Sequence, residues 1–208
     1  MAGARSRKND SVLETLCIER PEQLAALTSP VRLELLELIG ISGPCAVSDV
    51  ALRMSRAPDS LYYHVRLLLR VGLLEHVGDR RAGQRKEALY RVPAKQLVMP
   101  RKSDGPLVRE NTHKAVDSIL RLAARELKVA LEDESAEDEG PERTLYGRRM
   151  RARLTKRALR ELNRHLSAVE ELFARAALAP PRRKGSRGAE GTVAVTVTMT
   201  PVPGRRRD

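Results

Sequence analysis

Apolar residues recur every three or four positions over residues 21–39, at Leu24, Leu27, Val31, Leu35 and Leu38 or Ile39, the period of an amphipathic helix. Ser29 followed by Pro30 divides this run into two helices, because serine caps a helix start and proline is tolerated in the first turn; the second should end near Gly40. A further helix is predicted over residues 46–54, with Val47, Val50, Ala51 and Met54 on one face, and a tight corner over 55–58 follows it. The helical period resumes from Asp59 with Leu61, Val65, Leu68 and Leu69, and Gly72 supplies the glycine expected just past a helix end. Residues 73–77 and 88–92 then alternate as two strands around the turn-forming Gly78 and Gly83.

Ahead of these elements, residues 1–20 begin polar and basic with Arg5, Arg7 and Lys8, and then gather Val12, Leu13, Leu16 and Ile18; they predict a loose arm and a short helix. Behind them, residues 93–106 hold three prolines and no sustained period, the mark of a connector. Residues 107–131 place Val116, Leu120, Ala123, Leu127 and Ala130 at alternating spacings of four and three, a coiled-coil seam. Leu159, Leu162, Leu166, Val169, Phe173 and Ala176 repeat it in a last helix over residues 156–178, with Thr155 as its cap. Two stretches read as extended, one over 144–153 and one in the Val/Thr alternation TVAVTVTMTPV, and these are expected to pair near Tyr146.

Charge narrows the partners. The chain of 208 residues carries a formal +12, which points to nucleic acid, an anionic membrane surface or an acidic protein. Aromatic residues make up 2%, too few for the stacking platforms that hold single strands. There is no apolar run of membrane-spanning length and no apolar stretch of a secretory signal in the first twenty residues, so a cytoplasmic protein without a membrane partner is expected. Residues 132–142 contain seven acids and no base, a solvated loop, whereas 143–164 carry nine bases against Glu161 alone. That basic run serves either as additional DNA contact or as counter-charge to the acidic loop. A basic loop over 180–188 and Arg205 to Arg207 close the chain.

Short helices followed directly by a basic hairpin are the order of a winged helix-turn-helix, whose second helix enters the major groove of double-stranded DNA. On the predicted helix from Asp59, Leu61, His64, Val65 and Leu68 share one side, and His64 reads as a packed residue. Asp59, Tyr62, Tyr63, Arg66 and Arg70 lie around the other, and Ser60, Tyr62, Tyr63, Arg66 and Arg70, with Arg56 in the corner before them, are the candidate base or backbone contacts. Arg66 is the first choice for reading a guanine. In the hairpin, Arg80, Arg81, Arg85 and Lys86 sit at or beside the turn, placed to grip phosphates or enter the minor groove.

The segments LTSPVRLELLELI, AVSDVALRM and SLYYHVRLLLRVGLLE resemble successive helices of the ArsR-type winged-helix regulators, over about residues 21–92, most specifically from Ser60 to Leu74. The resemblance implies a dimeric repressor whose DNA affinity is altered by a bound signal. This chain departs from the metal-sensing members, which carry a Cys-x-Cys pair where it reads Cys45, Ala46, Val47. One thiol does not make a soft-metal site. Glu110, His113 and Asp117 share a helical face after the hairpin, but no second histidine follows at helical spacing. No metal and no cofactor is therefore expected, and Cys17 and Cys45 read as buried structural residues. The part after the hairpin resembles the C-terminal extension of uncharacterised winged-helix regulators.

The fold expected is mainly α with small β: an arm and short helix over 1–20, a winged helix-turn-helix over 21–93, a helical dimerisation region over 107–178 carrying a small β element, and a loop, terminal strand and tail over 179–208. The function expected is that of a sequence-specific transcription regulator, a repressor acting as a homodimer, with an unidentified small-molecule effector as a further partner. The two seams can pack on each other within one subunit or on their copies in a second, and pairing is assigned to Val116, Leu120 and Leu127 on one and Leu159, Leu162, Leu166, Val169 and Phe173 on the other. None of the motifs G-x-S-x-G, H-E-x-x-H or the phosphate-binding loop occurs, so no enzyme is expected. The alternatives are a nonspecific architectural DNA-binding protein and a winged-helix scaffold for protein partners.

Overall fold

The computed structural model describes residues 12–99, 105–178 and 192–200. Its elements in chain order are strand β1 (Leu13–Cys17), helices α1 (Pro21–Ala26) and α2 (Pro30–Ser42), strand β2 (Cys45–Ala46), helices α3 (Val47–Arg53) and α4 (Pro58–Arg70), strands β3 (Glu75–Ala82), β4 (Arg85–Arg91) and β5 (Ala94–Val98), and helices α5 (Pro106–Leu131) and α6 (Lys156–Leu178). Mainly α architecture with small sheets is what the sequence implies. A three-stranded antiparallel sheet in the order β2-β4-β3 follows the helices, and β1 and β5 form a separate parallel pair.

One apolar core binds α1 to α4 and the base of the hairpin. It contains Leu24, Leu35, Ile39, Val50, Leu61, Val65, Leu68, Leu73 and Leu74, all essentially inaccessible to solvent. Leu61, Val65 and Leu68 anchor α4 through one face, and each such burial contributes about 1.5–3 kcal/mol. Buried Gln23 of α1 donates from Nε2 to the Val71 carbonyl at 3.2 Å, tying α1 to the end of α4. There Gly72 adopts φ +73, Gly72 N donates to Leu69 O at 3.1 Å and Leu73 N to Leu68 O at 2.9 Å, the two bonds of a Schellman motif.

Several local expectations are corrected. Residues 12–20 contain no helix: β1 pairs in register with β5, Leu13 opposite Ala94 and Cys17 opposite Val98, and so β5 also occupies part of the expected connector. A helix this short has little stability of its own, and Thr15 and Cys17 suit a pleated strand. Helix α2 continues past Gly40 to Ser42, and Gly43 at φ +69 follows it. The hairpin strands run further than alternation suggested, because Gly78 lies inside β3 at a bulge after His76 and the chain reverses at Gly83. Cys45 is buried, but Cys17 is exposed, and both are free thiols.

The second half docks through a helix face that lies beside the predicted seam. Helix α5 docks on α1 and α2 through Ala115, Ser118 and Leu122, and Ser118 Oγ donates to the Thr28 carbonyl at 2.6 Å. Val116, Leu120 and Leu127 of the expected seam stay exposed. Helix α6 lies against β5; Leu159, Val169 and Phe173 are exposed, and Leu162 and Leu166 are half-buried. Thr155 caps it as expected, its Oγ1 accepting from Ala158 N at 3.2 Å. Residues 144–153 and 192–200 form no strand among the described residues and do not pair with each other. The small β element therefore belongs to the first half of the chain. The arm with Arg5, Arg7 and Lys8, the loop over 180–188 and the tail with Arg205 to Arg207 lie outside the described residues.

Candidate nucleic-acid interface

The corner between α3 and α4 sets how the second helix is presented. Ser55 has φ +51, the one non-glycine residue with positive φ among the described residues. Ser55 N donates to Leu52 O at 3.2 Å and Arg56 N to Ala51 O at 2.9 Å, so α3 ends in the same Schellman geometry that ends α4. Pro58 then starts α4 in its first turn, with Asp59 beside it at the positive end of the helix dipole. Ser60 donates from Oγ to the Ala57 carbonyl at 2.7 Å and remains exposed.

With Leu61, Val65 and Leu68 turned inward, the opposite face of α4 presents Tyr62, Tyr63, Arg66 and Arg70 to solvent, next to exposed Arg56. His64, expected on the apolar side, is half-buried at its edge. Its ring meets Tyr63 edge-on at 5.5 Å, and its Nδ1 is buried without a hydrogen-bond partner. Burial, then Arg32 and Arg56, hold it below the usual imidazole value. Arg32 is taken up by the Ala25 and Ala26 carbonyls at the end of α1.

The hairpin stands beside α4. Tyr90 of β4 packs on the apolar core that α4 also enters, and burial, then Tyr62 and Asp79, push its phenol up. Four cations were expected to act alike here, and the structure separates them. Arg80 bonds through Nη2 to Asp49 Oδ1 at 2.7 Å and to Glu87 Oε2 at 2.8 Å, and through Nε to Glu87 Oε2 at 2.9 Å. Lys86 pairs with Asp79 at 3.0 Å, and Asp79 also meets His76 at 3.2 Å. Arg81, opposite Lys86, and Arg85, opposite Ala82, stand exposed near the turn with no ion pair among the described residues. The cations left to meet phosphate are thus Arg81 and Arg85, with Lys86 shared.

Sequence reasoning missed three groups. Gln84 stands exposed at the hairpin tip beside Gly83, where its amide can reach a groove edge. Asp49 and Glu87 hold Arg80, and Ser48 Oγ donates to Glu87 Oε1 at 2.8 Å. Asp49 could have been read as a capping residue, since it stands at the third position of α3 and its Oδ2 accepts from Ala46 N at 3.0 Å. Its pairing across to the hairpin leaves no local signal.

On α5, Glu110 pairs with Lys114 and Asp117 with Arg121, each one turn apart, an ordinary solvated helix face. In the basic run before and within α6, Arg143 lies over the Tyr146 ring at 4.7 Å.

Residues 27–77, from the end of α1 into β3, match the family model of a helix-turn-helix domain. The match supports a DNA-binding regulator, in agreement with the exposed face of α4. No curated protein matches the chain. No helix among the described residues is long and apolar enough to cross a membrane.

Proposed function

We propose that the protein is a sequence-specific transcription regulator of the ArsR type, a repressor that acts as a homodimer on double-stranded DNA. Helix α4 reads the major groove, with Arg66 on a base edge and Ser60, Tyr62, Tyr63, Arg70 and Arg56 on bases or backbone. The hairpin lays Arg81, Arg85 and Lys86 on the backbone or in the adjacent minor groove. The observation that carries this reading is the division of α4: Leu61, Val65 and Leu68 are consumed by the core, while two tyrosines and two arginines face outward next to a cationic hairpin. The chain is not an enzyme on this reading, and residues 21–93 form its DNA-binding unit in the cytoplasm.

Pairing of two copies is supported by the apolar side chains left uncovered on α5 and α6: Val116, Leu120 and Leu127, and Leu159, Val169 and Phe173. One recognition helix reads only a few base pairs, whereas two placed about one helical turn apart read a palindrome. A small-molecule effector acts by shifting the distance between them.

The test is binding to labelled DNA from upstream of the gene against a scrambled duplex, at about 50 and 200 mM salt, with sedimentation of the same samples. A preference of about 10³ that survives the higher salt, carried by a dimer and lost in Arg66→Ala, is the expected result. Equal binding to both duplexes that collapses with salt refutes specificity and leaves the architectural role that the net charge of +12 also suits.

A further inference from the structure

The hairpin is joined to the helix-turn-helix by a polar contact that spans three elements. Arg80 on β3 stands opposite Glu87 on β4 in the strand register. Its guanidinium closes on Glu87 and reaches across to Asp49 on α3. Ser48, also on α3, takes the other oxygen of Glu87. Asp49 meanwhile uses its second oxygen on the backbone N–H of Ala46, at the junction of β2 and α3. Any rotation of the hairpin against α3 breaks several of these bonds at once. Since α3 packs on α4 across the short Ser55 corner, the same contact also sets the angle of the hairpin relative to α4.

We infer that Arg80, Asp49 and Glu87 are positioning residues for DNA binding, a brace that aims the hairpin and holds Arg81 and Arg85 at the phosphates flanking the site read by α4. The inference rests on the DNA-binding reading above. Its consequence runs against simple charge reasoning: two acidic residues beside a DNA-binding surface strengthen binding. Arg80, although a cation of the hairpin, neutralises no phosphate. Both carboxylates are held below their usual range, Asp49 first by its bond to Arg80 and Glu87 first by its bond to Ser48 and then by Arg80; they are ionised wherever the protein meets DNA.

The experiment uses the full chain and fluorescence anisotropy on a labelled duplex over about 50–200 mM salt. Glu87→Gln raises the net charge, so a purely electrostatic surface binds more tightly; the brace predicts binding weakened about threefold to fivefold, at an unchanged salt slope. Arg80→Lys separates the roles of that cation. Lysine serves as a point charge on a phosphate but cannot bridge two carboxylates with a planar fork, so the brace predicts a comparable loss in Arg80→Lys and near-normal binding in Arg85→Lys. Arg85→Gln lowers the salt slope by about 0.9, the signature of one lost phosphate contact, and Arg80→Gln does not. Thermal melts accompany each variant. Should Glu87→Gln fail to fold, Ser48→Ala removes one bond to the same carboxylate and is expected to weaken binding about twofold.

Glu87→Gln that binds as tightly as the parent or more so, or Arg80→Gln that reduces the slope as Arg85→Gln does, overturns the brace while leaving DNA binding intact. A parent chain that binds neither its own upstream DNA nor a scrambled duplex overturns the DNA reading itself, and the brace with it.

Discussion

The face of α5 that docks on the first half of the chain can be tested with two pairs of substitutions one or two residues apart. Ala115 and Ser118 are fully buried, whereas Val116 and Leu120 are exposed at 37% and 44%. Neighbouring positions on a helix lie about 100° apart, so the two pairs report on different faces. Ser118→Ala removes the donor to the Thr28 carbonyl and the acceptor that takes Arg121 Nη2 at 3.1 Å. Leaving a buried carbonyl short of its partner costs about 1–2 kcal/mol. Ala115→Leu forces a larger side chain into a filled site, about 1–3 kcal/mol. For a chain of this length each kcal/mol lowers the thermal midpoint by about 2–4 °C. Losses of roughly 2–8 °C and 2–12 °C are therefore expected.

The assay is thermal unfolding by circular dichroism at two protein concentrations, because a dimer makes the midpoint concentration-dependent. Val116→Ser and Leu120→Ser should leave the midpoint of the dilute sample within about 1–2 °C and act only on its concentration dependence. The two buried positions share Thr28 and its surroundings, so their double variant will not be additive. A dilute sample in which Val116→Ser and Leu120→Ser melt early while Ala115→Leu and Ser118→Ala do not refutes this docking. It would mean that α5 is turned to present the heptad seam inward.

Two further predictions follow from local geometry. Gly72→Ala should destabilise by about 1 kcal/mol, because φ is +73 while the new Cβ meets only Arg20 Nη2 at 3.5 Å; Ser55→Gly, which relieves φ +51 at the matching position of α3, should be neutral or slightly stabilising in denaturant titrations. Glu37 is pushed up to about 7 by partial desolvation of its carboxyl, although the residue still reaches solvent, and then by Glu126 of α5 and Glu34 of α2. The folded chain thus keeps a proton that the unfolded chain releases near the ordinary carboxyl value, and stability should fall as pH rises from about 4.5 to 7. The Glu37 side chain is exposed, so solvent screening holds the effect to no more than about 1 kcal/mol. Glu37→Gln should flatten this part of the profile, stabilising at pH 8 and not at pH 5. Asp49, Asp79 and Glu87 are shifted the other way and stay ionised across that window. A Glu37→Gln profile that follows the parent at every pH would show that this carboxyl titrates alike in both states.

Where a signal is local, the sequence carried it faithfully. Leu61, Val65 and Leu68 announced the inner face of α4, Gly72 its end and Thr155 the cap of α6, because helical period and cap chemistry are properties of a few consecutive residues. The strand β1 was hidden for the opposite reason. Its ladder partner β5 lies some eighty residues away, in a stretch that prolines made look like a connector, and no pattern within VLETLCI reports that pairing. The two faces of α5 are more instructive. Val116, Leu120 and Leu127 repeat correctly, but Ala115, Ser118 and Leu122 form a second, less apolar stripe, and close approach to α1 and α2 selects small residues there. A helix can carry two stripes, and periodicity alone does not say which one packs on its own chain.

The interface shows the same division between kind and partner. Counting cations in the hairpin correctly found a basic element beside α4, since exposed charge is a property of composition. It could not tell Arg80 from Arg81, although they are adjacent and identical in kind. In a strand, neighbours point to opposite faces. One face of β3 turns Arg80 toward α3, where Asp49 waits across thirty-one positions of sequence, and the other leaves Arg81 exposed. Glu87 lies opposite Arg80 in the hairpin register. Had the strands been confined to residues 73–77 and 88–92, as simple alternation suggested, that register would not exist and all four cations would stand in an unbraced loop. The place of the turn thus decides which arginines are available to a phosphate and which one holds the hairpin in place.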